Sequence, residues 1–152
     1  MPRGQHRLRK GRYSERSRAY LCTTVVRERR RVFSDWRLGR LVVDQLRWQE
    51  ARGATRTIAF VVMPDHLHWL FELTGTSALS SVVASVKKRS ACAINASIGS
   101  SGSIWQPGFH DHAVRREEDL KEIAYYVIQN PVRAKLVRSI RHYPLWDARW
   151  PW

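Results

Sequence analysis

Two histidines one residue apart, His66 and His68, interrupt the otherwise apolar run "VVMPDHLHWLFEL" at residues 61–73. Imidazole is a frequent metal ligand and the one side chain whose ordinary titration falls near neutrality, so the chemistry open to such a pair is metal binding or proton transfer. Alternate side chains of a strand share a face. His66, His68, Leu70 and Glu72 therefore point one way, and Leu67, Trp69, Phe71 and Leu73 the other. The second set is a core face, which leaves the two imidazoles side by side on the opposite one, close enough to share an ion. A pair by itself lacks the ligand count of a metal site, so on this pattern alone hydrogen-bonded structural histidines are the default.

A second group of reactive side chains lies in "DLKEIAYYVIQNPVRAKLV". Leu120, Ile123, Ala124, Val127 and Ile128 follow helical spacing and form a buried stripe. Tyr126 and Asn130 lie off that stripe, four residues apart and neighbours along one turn. Tyr125 is off the stripe as well, so helical geometry alone does not choose between the two phenols. For Tyr125 the favoured reading is a ring that fills a groove beside the sheet.

The elements that must position these groups follow from patterning. "AYLCTTVV" reads as a strand, and Asp35 opens a helix with Leu38, Leu41, Val42 and Leu46 at helical spacing. "TIAFVVM" is a central strand buried on both faces, broken by "PD" before the histidine strand. From Ser77 to about Ala96 a helix turns Leu79, Val82, Val83, Val86 and Ile94 inward and Lys87, Lys88 and Arg89 outward. "GSSGS" is a flexible connection, "FHDHAV" a short strand, and "EEDLKEIAYYVIQN" a helix stopped at Asn130 by the following proline. The order β-α-β-β-α-β plus a last helix predicts an α+β, ferredoxin-like (RRM-like) antiparallel sheet with helices on one face and a C-terminal helix carrying the tyrosines.

Composition bounds the partners. The chain has 152 residues, enough for one core without staples, and 27 Lys and Arg against 13 Asp and Glu give a formal charge of +14. That excess points to a polyanion, nucleic acid first. No apolar stretch approaches the roughly 20 residues of a spanning helix, and no hydrophobic signal core follows the basic N-terminus, so no membrane association is expected. Cys22 and Cys92 form no CxxC, which favours a reduced, cytoplasmic protein with two free thiols. Residues 1–18 carry seven Arg and Lys against one Glu, a basic arm expected to order on its partner. The chain thus divides into the arm at 1–18, a domain at 19–138 and an aromatic tail at 139–152.

The HxH pair after an apolar strand, then "WQPGFHDHAVR", then "YVIQNPVRAKLV", resembles the REP-associated tyrosine transposases, relatives of the single-tyrosine HUH transposases of small insertion sequences. The similarity runs from about Tyr13 to Val137 and includes the opening "GRYSERSRAYLCTTVVRERRRVF". It implies a metal-dependent DNA nickase and strand transferase acting on short single-stranded hairpins through a 5′-phosphotyrosine. It places the nucleophile on Tyr126 and the metal ligands on His66, His68 and Asn130, with Mg²⁺ or Mn²⁺ as the ion. DNA contacts are expected from Arg3, Arg7, Arg9, Lys10, Arg12, Arg16 and Arg18 of the arm, and from Lys87, Lys88, Arg89, Arg133 and Lys135. The protein is expected to be bacterial in type, nucleoid-associated, and a monomer or homodimer. A different class of function, a non-catalytic stacking module for single-stranded nucleic acid, would need exposed aromatics on the open sheet face, and a domesticated hairpin repressor is argued against by the presence of His66, His68, Tyr126 and Asn130.

Two positions depart from the family pattern. Lys135 stands where the family has Gly, which argues against a glycine-type backbone there. "YPLWDARWPW" replaces a serine-containing ending, and its four aromatics either pack over the sheet, the favoured reading, or stack on unpaired bases. In "FHDH", His110 and His112 share a strand face. A four-histidine zinc site is the minor reading of them, and neither is assigned a catalytic role.

Overall fold

The computed structural model describes residues 18–115 and 119–151. Arg3, Arg7, Arg9, Lys10, Arg12 and Arg16 of the proposed arm lie outside the described residues. The elements are β1 (Ala19–Val25), α1 (Trp36–Ala51), β2 (Thr55–Met63), β3 (His66–Leu73), α2 (Leu79–Ile98), β4 (His110–Ala113), α3 (Leu120–Ile128), α4 (Asn130–Arg133) and β5 (Trp146–Ala148). The strands form one sheet in the order β4-β1-β3-β2-β5, with every neighbouring pair antiparallel. This is the expected ferredoxin-like arrangement, extended by β5 on the outer edge of β2.

Two apolar clusters explain the layering. Leu67, Trp69, Phe71 and Leu73 of β3 join Val42, Val43 and Leu46 of α1 and Leu79, Val82, Val83 and Val86 of α2 on one face. On the other, Ile58, Ala59, Val61, Met63 and Leu70 pack against Ala124, Val127 and Ile128 of α3. β2 is therefore covered on both sides, as its continuous apolar run requires. Because α3 occupies only part of the second face, His110 and His112 of β4 stay exposed.

Local chemistry sets the element ends. The Asp35 carboxylate accepts from the Arg37 N–H and caps α1, and Asp119 accepts from Lys121 and Glu122 to cap α3. Gly99 closes α2 in the left-handed region at φ 64°. The helix predicted to run to Asn130 ends at Ile128, and a separate turn, α4, begins at Asn130 with Pro131 at its start. Proline fits a first helical turn better than an interior.

The segment set apart as an aromatic tail is woven into the sheet. β5 pairs with β2 from Val61↔Trp146 to Ala59↔Ala148, and Leu145 enters the helix-side core. Gly39 of α1 is where Leu145 presses in, since a Cβ there would collide with the leucine side chain. The Tyr143 hydroxyl donates to the Val62 carbonyl at 2.6 Å, and burial pushes its pKa up to about 12.

Lys135 corrects the expectation drawn from its side chain. It takes the left-handed backbone after all, at φ 61°, because the chain folds back on α4. The N–H groups of Lys135 and Leu136 donate to the carbonyls of Val132 and Pro131 at 3.0 and 2.9 Å, which satisfies acceptors at the helix end. A side chain in that region costs about 1 kcal/mol. Lys135→Gly should raise unfolding stability by roughly 0.5–1 kcal/mol, and β-branched Lys135→Val should lower it by about 1 kcal/mol or more. Urea denaturation of the three proteins measures both, and equal midpoints would contradict the strain.

Candidate active site

The site forms where β3 meets the uncovered part of the sheet. His66 and His68 lie on the same face with Nε2 atoms 3.1 Å apart and rings nearly perpendicular, 4.7 Å between centroids. Each outer nitrogen is held by a neighbour. His66 Nδ1 meets the Asp65 carboxylate at 2.6 Å, and His68 Nδ1 meets the Thr23 hydroxyl at 2.8 Å. With a proton on each Nδ1, both Nε2 lone pairs face one another, and only a proton or a cation between them makes that contact favourable. Two ligand atoms in adjacent positions on an ion, each at about 2.1 Å, stand about 3 Å apart. The 3.1 Å separation is compatible with a shared ion as with a shared proton, and the Asp65 and Thr23 contacts have the form of outer partners that fix ligand rings.

Strand pairing explains these contacts. Thr23 of β1 is directly opposite His68, so the two share a face and their side chains touch. Asp65 sits in the β2–β3 turn, whose carbonyls at Pro64 and Asp65 accept from Phe33 and Val26 at 3.0 and 2.9 Å. Arg29 also reaches the Asp65 carboxylate, at 3.6 Å. Burial foremost, then His66 and the Arg133 guanidinium, pull the His68 imidazole down to about 4, so it remains a neutral lone-pair donor at physiological pH.

The end of α3 brings the other candidates. Pro131 has no N–H to give the carbonyl four residues before it, that of Val127. The Asn130 amide supplies the missing donor, with Nδ2 at 2.7 Å from the Val127 oxygen, and this fixes the orientation of its amide. One residue earlier, the Tyr126 carbonyl accepts from Arg133 Nη2 at 2.8 Å, and the same guanidinium lies 3.8 Å from the centre of the Tyr126 ring. Tyr126 is 62% exposed. Tyr125, expected to fill a groove, is 48% exposed, so both phenols reach solvent.

The remaining expected residues are less uniform. Lys88 and Lys135 are exposed. Arg89 is exposed but engaged, donating to Gln45 at 2.8 Å and stacking 3.7 Å over Trp48. Arg18 is half-buried, and its carbonyl accepts from the Leu73 N–H. Lys87 departs from the outward orientation: its ammonium donates to the carbonyls of Gln106 and Gly108 at 2.7 and 2.6 Å, fastening the approach to β4. His110 pairs opposite Thr23, two strands and about 10 Å from His68. Among the described residues no group of three or more His, Cys, Asp or Glu side chains is placed to hold a metal ion.

Sequence reasoning missed Asp65, Thr23 and the contact of Arg133 with Tyr126. Asp65 adjoins His66, yet "PD" carried only a turn signal. Thr23 has no signal until the register of β1 on β3 is known. Arg133 follows Tyr126 by seven residues, two helical turns, but Pro131 between them interrupts the helix, so the spacing alone carries no signal.

A pH dependence follows from His68. An unfolded histidine takes up its proton near 6.5 and the folded one only near 4, so between these values the unfolded chain binds more protons. Stability therefore falls as pH falls through that window, by at most about 1.4 kcal/mol per unit. Metal-free protein should lose stability from pH 6.5 to 4 more steeply than His68→Gln in urea titrations, and parallel slopes would contradict a neutral His68.

Comparison with known proteins bears on the family and the fold. The family described as "Transposase IS200 like" matches residues 16–130. The REP-associated tyrosine transposase of Escherichia coli (strain K12) is 33% identical over 89 residues, a match spanning 57% of this chain and only 50% of that protein. A solved structure of a REP-associated tyrosine transposase bound to a REP hairpin superposes with a TM-score of 0.69 at 25% identity, covering 89% of this chain and 79% of that one. On the breadth of the family match, the chain belongs to the IS200-like transposases.

Proposed function

We propose that the protein is a metal-dependent nickase and strand transferase for single-stranded DNA folded as a short hairpin, working in the cytoplasm through a 5′-phosphotyrosine on Tyr126. The observation that carries this reading is the convergence of the His66 and His68 Nε2 atoms at 3.1 Å, each ring fixed from behind, in a chain that also exposes Tyr126. The relative solved with a REP hairpin supports a hairpin as the DNA partner. In this reading residues 19–138 hold the catalytic domain and the arm at 1–18 adds phosphate contacts.

A divalent cation, Mg²⁺ or Mn²⁺, would be held by the imidazoles of His66 and His68 and by the Asn130 amide oxygen. When bound, that ion supplies Lewis-acid polarisation of a nonbridging phosphate oxygen. Asp65 and Thr23 hold the imidazoles in one tautomer and orientation. Asn130, tied through Nδ2 to Val127, presents its oxygen on the opposite side. The Tyr126 oxygen attacks phosphorus as its proton departs, the bond from phosphorus to the 3′ oxygen breaks, and that oxygen leaves as a hydroxyl. One phosphodiester replaces another, so the strand can be rejoined without an energy source. Lys88 and Lys135, both exposed, serve the DNA backbone.

A non-catalytic stacking module fits less well. Among the described residues the large exposed aromatics, Trp36, Trp48, Tyr125 and Tyr126, are on helices, whereas the uncovered sheet face carries imidazoles and Thr23.

Labelled REP-hairpin oligonucleotide incubated with the protein and Mn²⁺ should yield a protein-sized labelled band under denaturing conditions, with the adduct on Tyr126 by mass spectrometry. Tyr126→Phe should abolish adduct and cleavage while leaving hairpin affinity within about threefold, since only a hydroxyl is removed. Binding without any adduct would favour the repressor. In excess EDTA cleavage should stop, and replacing His66 and His68 by Ala should do the same with affinity retained. Full activity in EDTA would remove the metal from the mechanism.

A further inference from the structure

The side chain of Arg133 is bound twice to the residue read as the nucleophile. Its Nη2 donates to the Tyr126 carbonyl at 2.8 Å, and its guanidinium carbon lies 3.8 Å from the centre of the Tyr126 ring. Tyr126 is the most exposed of the large hydrophobic side chains among the described residues, at 62%, and an exposed aromatic changes rotamer on the picosecond to nanosecond scale. A phenol that must approach a phosphorus atom in line loses rate with every alternative rotamer it populates.

The backbone makes the grip specific. Pro131 ends α3 and starts α4, and α4 is a single turn fixed by Arg133 N→Gln129 O and Ala134 N→Asn130 O bonds, both 2.9 Å. That turn places Arg133 over the last turn of α3, where its planar guanidinium can lie flat on an aromatic ring while an edge N–H reaches a carbonyl. A lysine has the charge without the plane. The Asn130 amide engages the neighbouring Val127 carbonyl at 2.7 Å, so one short turn joins a proposed metal ligand and the tyrosine in a fixed relation.

We propose that Arg133 is a positioning residue, clamping the Tyr126 ring in the rotamer from which the hydroxyl attacks, and not primarily a DNA phosphate contact. The proposal rests on the reading of Tyr126 as the nucleophile. The guanidinium acts through the ring, so it bears on the rate of the chemical step within the DNA complex and has little bearing on formation of that complex.

Single-turnover cleavage of a labelled REP-hairpin oligonucleotide, with protein saturating and Mn²⁺ present, separates these roles when binding is measured in parallel over a salt series. For Arg133→Gln the expected result is a cleavage rate lowered about 10- to 100-fold, with Kd within about threefold of wild type and the salt slope unchanged. Arg133→Lys should recover only part of the rate. Weaker binding with a salt slope reduced by about one, and an unchanged rate at saturation, would overturn the proposal in favour of a phosphate contact. A rate and an affinity both equal to wild type would overturn it outright.

A measurement without DNA keeps the test independent of turnover. With ¹³C-labelled tyrosine rings, assigned by loss of a signal in Tyr126→Phe, the Tyr126 ring should be more ordered in wild type than in Arg133→Gln. Equal order in the two proteins overturns the clamp. Cleavage and adduct formation persisting in Tyr126→Phe would instead defeat the assignment of the nucleophile, a distinct result that leaves the clamp nothing to position.

Discussion

Alternation of side chains along β3 divides the molecule into two unlike halves, and most of the structure answers to that division. One edge of the strand sends Leu67, Trp69, Phe71 and Leu73 into a core roofed by α1 and α2, with Trp69 and Phe71 stacked at 3.7 Å. The other edge sends His66 and His68 to the opposite face. A slip of one residue in the pairing would exchange these sets, burying imidazoles and exposing a tryptophan and a phenylalanine. The aromatic core thus fixes the register, and the register delivers the imidazoles to Thr23 and to each other. Stability and site geometry are coupled through one strand.

The second face poses a different problem, since a helix must cover its apolar part without sealing the histidines. α3 packs on Ile58, Ala59, Val61, Met63 and Leu70 and then stops short. Pro131 ends the regular ladder there and deprives the Val127 carbonyl of its donor, and the side chains of Asn130 and Arg133 take over the carbonyls of Val127 and Tyr126. One of the residues that repair the helix end, Arg133, is therefore also the one that lies against the Tyr126 ring. In the sequence the Asn-Pro pair looks like a simple stop signal. In the fold it converts a backbone deficit into fixed side-chain orientation.

Much of this was legible in the chain itself. Period-two patterning placed both faces of β3, the continuous run of β2 announced burial on both sides, and helical spacing put Tyr126 off the buried stripe of α3. The fold class and the family followed from order and motif. What escaped was information carried by pairs of residues distant in sequence. Thr23 gains meaning only when β1 lies beside β3, and Lys87 reads as a solvated charge until the carbonyls of Gln106 and Gly108 arrive beneath it. The aromatics of the tail favoured packing over the sheet but have no period to say where, and its place is set by the open edge of β2 and the gap above Gly39. Lys135 marks the limit of residue-type rules. Hydrogen bonds closing the α4 turn outweigh a left-handed penalty of about 1 kcal/mol.

Charge and burial act in opposite directions at the site, and their balance bears on how a metal and DNA would share it. A chain of net charge +14 attracts phosphates and repels cations. His68 avoids adding to that repulsion, because burial keeps it neutral to about pH 4, and the carboxylate of Asp65 lies behind His66 as a local negative charge. Two imidazoles and an amide, the proposed ligand set, would nevertheless make a weak site for a hard divalent ion, which prefers charged oxygen ligands. A DNA phosphate supplies such an oxygen, and each of the two ligands lowers the electrostatic penalty of the other. The proposed site therefore favours metal and DNA bound together over metal bound alone, and the basic surface that would weaken a resident metal is the feature that brings its missing ligand.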